Sequence, residues 1–186
     1  MSLEQLGSIR SVAEWTQLGK PQASKREGAT WSMAMTAVIA LECPAQDETL
    51  ALLAQSDAYH ARLYPAASNH LLPAVELARD NVRFLVARIG GVAVGCGALL
   101  IGSDGAAEIK RMFVAPAVRG RQLGRQILLG LEREAEAVDV RVIRLETGVR
   151  QPEALALYRS HGYVERGPFG SYRLDPLSTF FEKRMR

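Results

Sequence analysis

Residues 82–116, VRFLVARIGGVAVGCGALLIGSDGAAEIKRMFVAP, constrain this chain more than any other stretch. Three apolar runs follow one another, separated by Gly90-Gly91 and by Ser103 to Gly105, and Pro116 closes the third. Glycine pairs between β-rich runs signal tight hairpins, so the stretch predicts an antiparallel β meander whose faces later elements must cover. A helix follows from about Arg121 to Val138. It places Ile127, Leu128, Leu131, Ala135 and Val138 on one face and Glu132, Arg133, Glu134 and Glu136 outside.

The remaining elements fit around that centre. TAVIALE, from about Met35, reads as a first strand. The helix after it carries Leu50, Leu53, Ala54, Ala58 and Ala61 on one stripe. VRVIRLETG is a further strand, and Pro152 opens a helix that Gly162 stops; YVERG and STFFEKRM supply the last two strands, with only one of Phe180 and Phe181 needed in the core. The order is β, α, a β meander, α, β, α, β, β. Residues 1–34 show no sustained period and are expected to be a flexible extension ahead of one domain over 35–186.

At 186 residues and 48% hydrophobic, the chain is long enough for one such domain. The longest uncharged apolar run, Gly91 to Ile101, falls short of the roughly 20 residues of a membrane span. No signal-peptide plan opens the chain, so a cytoplasmic protein with no membrane partner is expected. Cys43 and Cys96 lie far apart, without zinc-ligand spacing, and read as buried small hydrophobes; no metal is expected.

The net charge of +3 is modest, yet arginine is concentrated at one place. Arg119, Arg121 and Arg125, with Gly120 and Gly124, crowd the start of the helix, where the macrodipole already disfavours cations. Free N–H groups in a first helical turn bind phosphate oxygens, and glycine lets them approach; the cluster predicts a polyphosphate ligand. There is neither GxxxxGK[ST] nor a GxGxxG after the first strand. VRGRQLGRQILLGL also has the look of a recognition helix, but it continues into Glu132, Glu134 and Glu136, and no nucleic-acid partner is expected.

RGRQLG (Arg119 to Gly124) resembles the [Q/R]xxGxG/A signature of the GNAT family of N-acetyltransferases, with Gln122 where the middle glycine usually stands. Downstream, Gln151, Ala154 and LYRSHGY (Leu157 to Tyr163) are similar to that family's Asn, Ala and LYxxxGF series. GCGAL, EIKRMFV, RLETG, PFGSY and DPLSTFFEK look like a bacterial subgroup of it. The resemblance implies an α/β fold with a mixed, mostly antiparallel twisted sheet of six to seven strands, about four helices and central strands that splay apart.

It further implies an enzyme that moves an acetyl group from acetyl-CoA to a primary amine by direct attack. Backbone groups of Met112, Phe113 and Val114 would pair with the pantetheine arm, while Arg119, Gly120, Arg121, Gln122, Leu123, Gly124 and Arg125 would hold the pyrophosphate. Gln151 keeps an amide for the arm, and Tyr158 is the proton donor to the leaving thiolate. Glu108 is a candidate water-mediated base, strand alternation pointing Glu108, Lys110 and Met112 the same way. Glu146 is its rival or a substrate anchor. Tyr64, Asn69 and His70 fall where the family's first helices form the acceptor wall. Phe169, Tyr172 and Arg173 lie in a glycine-bearing loop able to close over the acceptor, His161 reads as partly exposed packing and His60 as lying on a solvated helix face. A homodimer through the terminal strands is also implied. A CoA-responsive binding module without turnover is the alternative reading.

Overall fold

The computed structural model describes residues 36–185; the expected extension over 1–34 lies outside them. The meander forms as β2 (Val82–Ile89), β3 (Val92–Ile101) and β4 (Ala106–Val114). Ile89 pairs with Val92 across Gly90 and Gly91, whose φ angles of 57° and 82° suit a two-residue hairpin that side-chain-bearing residues rarely adopt. β1 (Val38–Leu41) adds to the β2 edge. On the other side come β5 (Val142–Gly148), β6 (Val164–Arg166) and β7 (Ser178–Arg184), giving one sheet in the order β1-β2-β3-β4-β5-β7-β6. Every neighbouring pair is antiparallel except β4 and β5.

The connection between those parallel strands is α3 (Leu123–Glu136), which lies on one face of the sheet. Ile127, Leu128 and Leu131 are fully buried there. The helix comes so close that a Cβ on Gly97 would stand 2.8 Å from Ile127 Cγ2, so only glycine fits beneath it. α4 (Pro152–Ser160) shares this face, with the Tyr158 and Phe181 rings 6.0 Å apart. The opposite face carries α1 (Asp47–Leu63), a 3-10 turn over Ala66–Ser68, the single-turn α2 (Ala74–Leu77) and the loop over 167–177. Among the described residues no helix is long and apolar enough to cross a membrane, and no cluster of three or more His, Cys, Asp or Glu is placed to hold a metal ion.

Several expected faces are rotated or reassigned. α1 buries Thr49, Leu52, Leu53 and Ser56, whereas Leu50, Ala54, Ala58 and Ala61 are exposed. The helix presses a mixed stripe on the sheet, and Thr49 Oγ1 satisfies itself on the Cys43 carbonyl at 3.2 Å. Glu132 is buried because Lys183 Nζ on β7 reaches it at 2.8 Å, while Val138 lies past the end of α3 and is exposed. Cys43 is exposed in the turn after β1; Cys96 is buried as expected. Both Phe180 and Phe181 are buried, one on each face of β7, because the 167–177 loop covers the second face as well.

Candidate active site

The parallel ladder of β4 and β5 runs only from Ala106↔Val142 to Ile109↔Leu145. Beyond it the two strands part, and a cavity of about 500 Å³ opens between Ile109–Val114 of β4 and Glu146–Gly148 of β5. Strand edges facing such a gap carry N–H and C=O groups with no neighbouring strand to receive them, so the gap suits a ligand that is itself extended and polar along one side. The rest of the wall comes from Tyr59, His60 and Tyr64 of the end of α1, Ser68 to Leu71, the start of α3, and Gln151, Ala154, Leu157 and Tyr158 at α4.

At one end lies the arginine-rich turn. Gly120 has φ 81° and Gln122 φ 58°, so the residue where the family signature has glycine does take the left-handed conformation. Gln122 is the N-cap of α3, its carbonyl accepting the Gln126 N–H at 3.0 Å and its side-chain Oε1 accepting from Arg125 Nη1 at 3.4 Å. Arg119 donates from Nε to the Val114 carbonyl at 3.1 Å and lies over the Tyr59 ring, 4.6 Å from its centroid. Arg125 Nε donates to His161 Nε2 at 3.3 Å, which makes His161 part of the turn's support. No acidic residue occupies the first turn of α3, and a Cβ on Gly124 would touch only Leu157 and Val114 at ordinary contact distances. Uncapped N–H groups, arginines and bare backbone are the donor set a phosphate requires. Gly120, Gln122, Leu123, Gly124, Arg119 and Arg125 line the cavity; Arg121 is exposed and does not.

Acids and phenols lie on the remaining wall and behind it. Tyr158 is buried, and burial first, then the charge of Glu146, pushes its phenol above the usual tyrosine range, so the proton is kept at neutral pH. Glu146 accepts a hydrogen bond from Ser178 Oγ at 2.6 Å. Burial raises its pKa, against the opposing pull of Ser178, His70 and Lys110. Glu108 does not line the cavity. Its Oε1 accepts the Tyr172 hydroxyl at 2.6 Å and pairs with Lys110 Nζ at 3.1 Å, and Lys110 also bonds Tyr172 and donates to the His70 carbonyl at 3.2 Å. Tyr172 thus stands behind the wall, stacked edge-on with His70, Phe169 and Phe180, while Asn69 and His70 line the cavity. Arg173 is exposed.

Met112 departs from the expected alternation. β3 and β4 pair Ala98 with Lys110 and Cys96 with Phe113, so Arg111 and Met112 together oppose the single residue Gly97. Arg111 takes φ 56° in this bulge, and Met112 Sδ reaches the α3 side of Gly97 while Glu108 and Lys110 face the loop over 167–177.

His60 corrects a second expectation. It is half-buried and lines the cavity, with Nδ1 2.7 Å from the Ser56 carbonyl, and burial lowers its pKa. Tyr59, Arg111, Thr147 and Leu157 line the cavity as well. Of these four only Leu157, the first residue of LYRSHGY, carries a signal in the sequence.

A family model described as the acetyltransferase (GNAT) family matches residues 49–163. The chain is 51% identical over 146 residues to an IAA acetyltransferase of Azospirillum brasilense, covering 78% of this chain and 95% of that protein. A solved candidate acyl-CoA N-acyltransferase of Klebsiella pneumoniae is 38% identical with a TM-score of 0.69, over 81% of this chain and 98% of that one. The PaiA N-acetyltransferase of Thermoplasma acidophilum, solved in complex with coenzyme A, shares the fold at 18% identity with a TM-score of 0.62, over 81% of this chain and all of that one. These likenesses cover the elements that part to form the cavity, and they establish that the chain belongs to the acetyltransferase (GNAT) family and is an acetyltransferase.

Proposed function

We propose that the acetyl donor is acetyl-CoA and the acceptor a primary amine. The observation that carries this reading is that Glu146 and Tyr158 line the same cavity as the glycine- and arginine-rich start of α3. In this reading Arg119, Arg125 and the backbone from Gly120 to Gly124 take the pyrophosphate, with Arg121 adding charge from the rim. The edge of β4 from Met112 to Val114 and the Gln151 amide take the pantetheine arm. The coenzyme A bound by a protein of the same fold supports the assignment.

The amine nitrogen attacks the thioester carbonyl, forming the C–N bond and an oxyanion whose collapse breaks the C–S bond. Glu146 accepts the amine proton through a water, and Tyr158 gives its proton to the departing thiolate. We assign the base to Glu146 rather than Glu108 because Glu146 faces the cavity and has a raised pKa, whereas Glu108 is held by Lys110 and Tyr172 behind the wall. A β4 backbone N–H facing the gap would stabilise the oxyanion.

The test is thiol release from acetyl-CoA with a panel of primary amines. Amine-dependent release well above hydrolysis is expected; its absence for every amine, with acetyl-CoA binding intact, overturns the reading.

A further inference from the structure

Arg111 is the most enclosed cation beside the cavity. Its side chain is 3% exposed, and its buried Nε has no hydrogen-bond partner among the described residues. Nη1 pairs with Asp57, and Nη2 donates to the Leu53 carbonyl at 3.3 Å. A buried charge with an unpaired donor is costly, and such a group in a native structure calls for an explanation, a functional role or a bound partner among them. The backbone is strained to bring the guanidinium here. Regular alternation from Lys110 would send residue 111 toward Ile127 and Leu131 on the α3 side, but the bulge and the left-handed φ of 56° keep it on the α1 side.

A second cavity lies on that side, a groove of about 510 Å³ between α1 and residues 69–74. Leu50, Leu53, Ala54, Leu71, Leu72 and Pro73 make most of it apolar. Arg111, Asn69 and Leu71 belong to the walls of both cavities. The enclosed Arg111 guanidinium therefore borders both the cavity with Glu146 and an apolar groove. Its carboxylate partner among the described residues, Asp57, is 56% exposed, so that charge is largely met by water. The planar fork of an arginine matches a carboxylate with two parallel hydrogen bonds.

We propose that the acceptor is an amine that also carries a carboxylate and an apolar body: the carboxylate binds Arg111, the apolar body lies in the groove between α1 and residues 69–74, and the amine faces Glu146. The substrate class is an apolar amino acid or a similar amino-carboxylate. This rests on the amine-acetylation reading above, and its test has one arm with turnover and one without.

With acetyl-CoA present, leucine, leucinamide and 3-methylbutylamine share an apolar body and differ at the carboxylate. Leucine is expected to exceed the other two by about tenfold or more in kcat/KM, the usual effect of one charge-assisted hydrogen bond. Asp57→Asn removes the carboxylate that competes for the guanidinium from an exposed position, so it should lower KM for leucine several-fold and leave leucinamide unchanged. Arg111→Met, checked for folding by circular dichroism, should erase the preference. In the second arm, 4-methylpentanoate and 4-methylpentanamide are titrated into the protein without acetyl-CoA; the acid should bind more tightly, and more tightly still to Asp57→Asn. Equal use of all three amines, or acid binding no tighter than amide binding in both proteins, overturns the proposal. Acid binding that follows Asp57 in a protein that acetylates no amine would uphold the carboxylate site while overturning the amine-acetylation reading.

Discussion

The backbone N–H of Arg150 donates to the Tyr64 phenol oxygen at 2.9 Å, joining the end of α1 to the turn between β5 and α4. The Arg150 side chain reinforces the link by donating from Nη1 to the Leu63 carbonyl at 2.8 Å. The tyrosine lies so close to β5 that a Cβ on Gly148 would be 2.1 Å from its oxygen. Gly148→Ala should therefore cost about 1–3 kcal/mol, as overpacking does. In a Tyr64→Ala background the same change should cost less than about 0.5 kcal/mol, since the clash is gone. Denaturant unfolding of the four proteins measures this coupling, and additive costs would show that the contact does not constrain the fold.

Tyr158→Phe keeps the ring contacts with Tyr163 and Phe181 and removes only the hydroxyl. If the phenol protonates the leaving thiolate, kcat should fall about 100-fold, in the range typical of general acids, with acetyl-CoA affinity and melting temperature nearly unchanged. Steady-state kinetics beside a titration of acetyl-CoA separates these. A loss confined to KM would assign the residue to packing instead.

The acid limb of kcat/KM should lie above the ordinary glutamate range, because burial raises the Glu146 pKa. The sign follows from its role as proton acceptor: as pH falls through that raised value the carboxylate takes a proton and activity is lost. Ser178 Oγ bonds the charged form, so Ser178→Ala should move the limb to higher pH, and Glu146→Gln should lower the plateau and remove the limb. A limb unmoved by both variants would exclude this carboxylate as the base.

Gln122 carries its φ of 58° at a cost of about 1–2 kcal/mol, the usual penalty for a side chain in the left-handed region. Glycine relieves that strain but loses about 0.5–1 kcal/mol of backbone entropy, so Gln122→Gly should stabilise by roughly 0.5–1 kcal/mol net. Gln122→Val should destabilise by about 1 kcal/mol or more, because a β-branched residue tolerates the region poorly. Thermal melts with and without acetyl-CoA test both. A destabilised glycine variant would mean that the glutamine amide and Arg125 contribute more than the backbone loses.

Local patterns made the sheet and much of the cavity legible in the sequence. Gly90-Gly91 and Ser103 to Gly105 mark turns through their own backbone chemistry, and the periodicity of Ile127, Leu128 and Leu131 marks the buried side of α3. The same logic failed where burial is decided by a distant partner. Glu132 looks like a surface residue until β7 brings Lys183 beside it. Leu50 and Ala54 look like core until α1 turns Thr49 and Ser56 to the sheet and leaves them along a groove. The bulge at Arg111 has no glycine to announce it, and it reversed the side on which Met112 lies. Tyr59 and His60 reach the cavity only because α1 crosses β4, a relation invisible from either segment alone. The short turns over Ala66–Ser68 and Ala74–Leu77 are too brief to carry a period.

The ladder that ends at Ile109↔Leu145 has a consequence for local order. Elsewhere in the sheet interior, a strand's amides are protected by the neighbouring strand. In β4 beyond Lys110 and β5 beyond Glu146, protection on the facing edges has to come from whatever lies between them. Amide exchange there should be fast in the free protein and slow severalfold on saturation with acetyl-CoA, while β2 and β3 change little. The stiffness of the reactive centre is then lent by the substrate and returned when the product leaves.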